Sequence, residues 1–264
     1  MPDPLQDFTR TTFSHAGKTR YVYRQGEGPA VIVMAEMPGI TPKVAAFARR
    51  VAAIGCTVMM PQLFGVPGAD PSPATYARAI VPGCISREFR AFATRARTPV
   101  SDWLRALAHH AYAECGGPGV GAVGMCFTGG FALGMMAGAE VIAPVLSQPS
   151  LPIAFTRKGR AALGVSDGEL EAVKARVAAG TPVLGLRFSC DKLAPRERFE
   201  TLRRELGDGF VGVEIDSSPG NPWGIPKHAH SVLTEHLVDE PGHPTRDALE
   251  QVLDLFRRQL LGHG

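Results

Sequence analysis

The 264-residue sequence has no charged start leading into an apolar core, and no apolar run reaches the roughly 18 residues that a membrane span needs. Both absences point to a soluble, cytoplasmic protein. Charge of one sign is also missing as a feature: charged residues make up 20%, and the formal net charge of +3 is spread along the chain. Nucleic acid and anionic membrane therefore find no basic run to bind. No C-x-x-C pair occurs. The five cysteines stand at 56, 84, 115, 126 and 190, an odd and scattered set that fits a reducing compartment better than a disulfide framework. Ligand spacing such as H-E-x-x-H is absent, so no metal site is expected and no cofactor is called for. No linker divides the chain, and 45% hydrophobic residues are enough for one large core, so residues 1–264 are read as a single α/β domain.

What is present alternates between strand and helix. Residues 19–24 alternate polar and apolar before a glycine-rich turn, as an early antiparallel strand does. Residues 30–35 are continuously apolar, as in a strand buried on both faces. Thr41 is a suitable N-cap and Pro42 a suitable first helical residue, with Val44, Phe47, Val51 and Ile54 at helical spacing up to Gly55. A further buried strand over 56–60 completes a βαβ unit. Strands are expected again over 119–125, 141–146, 182–188 and 209–215, and helices over 101–115, 169–178, 196–206 and 245–261. Residues 63–84, rich in proline and glycine, read as an irregular excursion over the sheet edge. The fold class is therefore α/β, with a mainly parallel central sheet and helices on both faces.

Two motif matches fail on context. Residues 119–124 satisfy G-x-G-x-x-G, but a helix precedes the glycines and a strand runs through them, the reverse of a dinucleotide site. Residues 164–168 satisfy G-x-S-x-G, but no apolar strand leads into them. Ser166 and Glu169 there form a capping box. The segment Val123-Gly124-Met125-Cys126-Phe127-Thr128-Gly129-Gly130 is different: an apolar strand meets a sharp turn and then a helix-compatible stretch, the layout of a nucleophile elbow. The pattern departs from the usual one at Thr128, where a glycine would stand. A cysteine so placed lies at a helix N-terminus, which favours a thiolate.

A cysteine nucleophile needs a base and an acid to orient that base, supplied by loops after later strands. Asp191 follows one such strand. His228 and His230 lie in the long loop after the last one; His230, directly before Val232-Leu233, is the preferred base and His228 the reserve. His109, His110, His236 and His243 are taken as solvated. Cys126, Asp191 and His230 together resemble the Cys-Asp-His triad of the dienelactone hydrolase family, a branch of the α/β-hydrolases. The similarity runs from about Tyr21 to Leu260. It implies an α/β-hydrolase fold and hydrolysis of a small-molecule ester or lactone, that is, a carboxylic ester hydrolase. It also implies a role for Glu36, which faces the nucleophile in that family, and an oxyanion hole made by the backbone N–H groups of Met37 and Phe127. Family members hold a substrate carboxylate with arginines, one of them four residues past the histidine; this chain has Thr234 there. Arg87, Arg90 and Trp223 are the substrate-binding candidates, with Arg95 a further arginine in the same stretch. The alternative reading is a non-catalytic α/β-hydrolase-like protein that binds a ligand or senses redox state through Cys126.

Overall fold

A computed structural model describes residues 1–85, 98–151 and 156–262. Eight strands form one sheet in the order β1-β2-β4-β3-β5-β6-β7-β8. β1 (Thr9–His15) and β2 (Lys18–Gln25) make a hairpin, of which the alternating pattern of the sequence marks only the second strand. Its two-residue turn, Ala16-Gly17, has positive φ at both positions, the geometry whose twist matches antiparallel strands. β2 joins β4 (Thr57–Pro61) antiparallel. From there β3 (Ala30–Met34), β5 (Val120–Met125), β6 (Val141–Ser147), β7 (Val183–Phe188) and β8 (Phe210–Ile215) run parallel.

Strand alternation divides the core into two layers. Val31, Val33 and Ala35 face a cluster containing Val44, Phe47 and Val51 of the helix Pro42–Ala53 and Leu249, Val252 and Phe256 of Pro244–Leu260. Ala30, Ile32 and Met34 face the other, with Trp103, Leu104 and Leu107 of the helix Pro99–Cys115 and Phe199 and Leu202 of Arg196–Leu206. Helices cover both faces, as the continuous apolar strands require. This is the expected α/β-hydrolase architecture, a mostly parallel eight-stranded sheet between helices.

Local signals behave as anticipated at several element ends. Thr41 accepts a hydrogen bond from Val44 N at 3.3 Å with Pro42 at the first helical position. Ser166 and Glu169 close their capping box on the helix Asp167–Ala178, and β5 runs through two of the three motif glycines, Gly121 and Gly124, with Gly119 just before it. The stretch 63–84 departs from expectation. It carries the helix Pro73–Ile85, opened by a mutual Ser72–Thr75 capping arrangement that weak apolar periodicity hid. Among the described residues no helix is long and apolar enough to cross a membrane.

Candidate active site

The parallel strands all end at one edge of the sheet, and the loops beyond β3, β5, β6, β7 and β8 carry the candidate residues. This is where parallel sheets present their chemistry. Cys126 directly follows β5 and opens a 3-10 turn, Cys126–Thr128, ahead of the helix Gly129–Met135. Its φ is +53°, a left-handed conformation that a side chain adopts only where the surroundings enforce it. Gly124 allows the crossing: a Cβ there would lie 2.2 Å from the Thr128 carbonyl oxygen. Thr128 itself has an ordinary helical backbone, φ −85° and ψ −4°, so no glycine is needed at that place. Its fully buried hydroxyl accepts from Met125 N at 2.8 Å and donates to the Met34 carbonyl at 2.9 Å, pinning the turn to β3.

The half-buried Cys126 sulfur lies 3.0 Å from the Ser150 hydroxyl, and Ser150 N donates to the Cys126 carbonyl at 2.9 Å. Ser150 sits three residues past the end of β6, a position that carried a signal in retrospect, since it adjoins the elbow strand.

Of the two late histidines, His230 is the one beside the acid. Its Nδ1 is 2.6 Å from Asp191 Oδ2, while the other carboxylate oxygen accepts from Leu193 N at 2.9 Å. Nε2, on the opposite edge of the ring, is buried with no hydrogen-bond partner among the described residues. Burial alone would drive the proton off this ring. The Asp191 hydrogen bond and the interaction with the Cys126 sulfur outweigh it and push the imidazole up to about 11. His228 is exposed and faces His236 with ring centroids 6.3 Å apart. A cleft of about 560 Å³ opens beside the pair, lined by Cys190, Asp191, Lys192 and Leu193 from one loop and Lys227, His228 and His230 from the other.

Glu36 lies just past β3 and is buried. Its carboxylate accepts from Gln148 Nε2 at 3.1 Å, from the Ser231 hydroxyl at 2.6 Å and from the Thr234 hydroxyl. None of these bonds is to the Cys126 thiol. Thr234, where the resemblance would place an arginine, thus contributes a neutral donor to Glu36. Burial holds the Glu36 carboxyl above its usual range, against the opposing effect of the Ser231, Thr234 and Gln148 donors and the nearby His230. Met37 and Phe127 each stand three residues beyond the last register pair of adjacent strands, Met34 with Gly124, so their backbones enter the same edge. Trp223 is half exposed, with its ring 5.4 Å from His243, and does not line the cleft beside His230. Arg87, Arg90 and Arg95 lie outside the described residues.

Two histidines taken as solvated are not. His243 is buried and caps the helix Pro244–Leu260, accepting from Thr245 N at 3.3 Å. His236, half-buried, has Nδ1 accepting from His230 N at 3.4 Å and Ser231 N at 3.2 Å. Both corrections have one cause: a cap or turn acceptor is chosen by tertiary position, which helical periodicity does not reveal. His109 and His110 are exposed as expected. Among the described residues no three His, Cys, Asp or Glu side chains converge as a metal ion would need.

Comparison with known proteins bears on the fold and the family. No curated protein sequence matches. Among solved structures, a putative dienelactone hydrolase from Klebsiella pneumoniae is 18% identical with a TM-score of 0.61, covering 95% of this chain and 98% of that one. A promiscuous dienelactone hydrolase-like phosphotriesterase from metagenomic libraries is 18% identical with a TM-score of 0.62, covering 96% and 98%. An α/β-hydrolase from Penicillium sp. sh18 is 13% identical with a TM-score of 0.62, covering 96% and 99%. At these identities the three attest the fold. The family model described as "Dienelactone hydrolase family" matches residues 19–260, nearly the whole chain, and the protein therefore belongs to the dienelactone hydrolase family.

Proposed function

We propose that this protein hydrolyses a small-molecule ester or lactone by covalent catalysis at Cys126. Membership of a hydrolase family supports the general reaction. The observation that carries the specific reading is the Asp191–His230 contact of 2.6 Å, which leaves Nε2 of a charged-tending imidazole buried and unpartnered in the field of the Cys126 sulfur. In this scheme the thiol proton rests on Nε2, and the sulfur, held as thiolate, forms a bond to the substrate carbonyl carbon. The carbonyl electron pair moves to oxygen, stabilised by the N–H groups of Met37 and Phe127. Collapse breaks the bond to the leaving oxygen, which recovers the proton from Nε2. Water, deprotonated by the same nitrogen, then attacks the thioester, and the C–S electrons return to sulfur.

Asp191 keeps the ring in the tautomer this requires. Glu36 acts through the residues it holds: Ser231 and Thr234 on the His230 loop and Gln148 on the Ser150 turn. Arg87 and Arg90 belong to the proposal as substrate contacts, whereas Trp223, packed on His243 away from the cleft, does not; a reducing, cytoplasmic setting fits the four described cysteines, all of which are free.

The test is a panel of small esters and lactones. Cys126→Ala and His230→Ala each lose turnover by at least about a thousandfold, whereas His228→Ala keeps it. Loss with the His228 change and not the His230 change would move the base to His228. A reactive thiol on a wild-type protein that turns over no ester would favour ligand binding or redox sensing instead.

A further inference from the structure

Arg198, on the helix Arg196–Leu206, is 1% exposed. A charge so far from water is ordinarily met by one of opposite sign. Arg187, equally buried at 2%, shows the usual solution and is paired with Glu214. Arg198 has no carboxylate partner among the described residues. Its guanidinium donates only to backbone carbonyls: Nε to Ala162 at 2.6 Å, Nη1 to Pro149 at 2.6 Å and to Leu193 at 3.4 Å, and Nη2 to Gly159 at 3.1 Å. These bonds engage four of its five N–H donors and bring no opposite charge into contact with it.

Two of those carbonyls belong to the candidate site. Pro149 precedes Ser150, whose hydroxyl touches the Cys126 sulfur, and Leu193 lies in the loop whose amide fixes Asp191. On the reading of Cys126 as nucleophile, we infer that Arg198 is the internal counter-cation of the site, a positioning residue that ties the Ser150 turn to the Asp191 loop and favours negative charge on the Cys126 sulfur.

The surrounding charges fit. Burial draws the Arg198 guanidinium down to about 10, with Asp191 and Cys126 the main influences resisting that fall, so it stays charged at neutral pH. Arg160 and Glu197 also face it, but they pair with each other at 2.7 Å and largely cancel. Asp191 is already matched by His230. The sulfur is the remaining place where negative charge can develop and be compensated. A merely structural strut would require the same four carbonyls and no relation to the thiol.

The experiment follows alkylation of Cys126 by a neutral haloacetamide against pH, read by peptide mapping so that the other cysteines do not contribute, together with thermal unfolding. In Arg198→Met the half-point of the Cys126 profile moves up by about one pH unit, alkylation at neutral pH slows about tenfold, and kcat on a responsive ester falls with KM little changed. Arg198→Lys keeps a charge with fewer bonds and shows a smaller shift in the same direction. A folded Arg198→Met protein whose profile superimposes on wild type overturns the inference. Should the Met variant fail to fold, the Lys profile decides, and superposition again overturns it. Because alkylation needs no turnover, these outcomes are separate from failure of the hydrolase reading, which Cys126→Ala tests.

Discussion

A buried carboxyl whose hydrogen bonds all come from neutral donors behaves differently from one bonded to a cation, and Glu36 is of the first kind. Its three hydrogen bonds come from two hydroxyls and an amide, and burial raises its proton affinity above the ordinary value of 4.5. The sign of the consequence follows from linkage. A group whose folded value lies above its unfolded one stabilises the fold fully below the unfolded value, and that contribution is lost as pH rises through the folded value. Glu36→Gln has no proton to lose, and the Thr234 hydroxyl can turn to accept from the new amide. We therefore expect the unfolding midpoint of Glu36→Gln to gain on wild type as pH is raised from 4.5. A difference independent of pH would mean that the native carboxyl is not held protonated by its burial.

At the scale of elements, two turns set the geometry. The elbow depends on the Thr128 hydroxyl, which joins β5 to β3 through Met125 N and the Met34 carbonyl. Thr128→Val keeps the shape and strands those backbone groups, at a cost of about 1–3 kcal/mol, while Thr128→Ser retains the bonds and most of the stability. Chemical denaturation of both variants checks this. The second turn, residues 230–236, is closed by His236 Nδ1, which accepts the amides of His230 and Ser231. Burial, then His228 and His230, and finally Lys43 hold the His236 ring below its usual 6.5, with Glu235 opposing. Its neutral form supports the turn above pH 6.5, and this support is lost as pH falls through the lowered folded value. Activity should decline on that acid side. His236→Asn places a non-titrating acceptor near Nδ1 and should flatten the decline, which the ratio of variant to wild-type rates against pH measures. An unchanged acid limb would assign it to another group.

For the whole molecule, the Asp191–His230 pair links loops 39 residues apart in sequence, so the proton it holds bears on global stability. The imidazole is raised from 6.5 to about 11; its contribution is complete below 6.5 and drains away as pH rises toward 11. Wild type should therefore lose more of its thermal midpoint between pH 7 and 10 than His230→Ala does. Equal slopes would show that no extra proton is bound there. The layered fold was legible in the chain itself, because burial on both faces writes continuous apolar strands and caps write Thr41, Pro42 and Ser166 next to the helices they start. So were the elbow and the order Cys126, Asp191, His230, since strand-end loops leave a local mark. The partners of those residues left none. Ser150 and the donors around Glu36 act across 24 to 198 positions of sequence and Arg198 reaches the Ser150 turn across 49, while His236 closes a turn only five residues long that no periodicity marks. Arg198, four residues before Leu202 on the helix's apolar side, offered a faint hint. Sequence by itself determined which segments become strands and helices and which side chains have the chemistry for the site, because those are local properties. Only the tertiary structure decided which carbonyls receive a buried cation and which hydroxyl meets the thiol, because such choices depend on which loops the sheet brings to one edge.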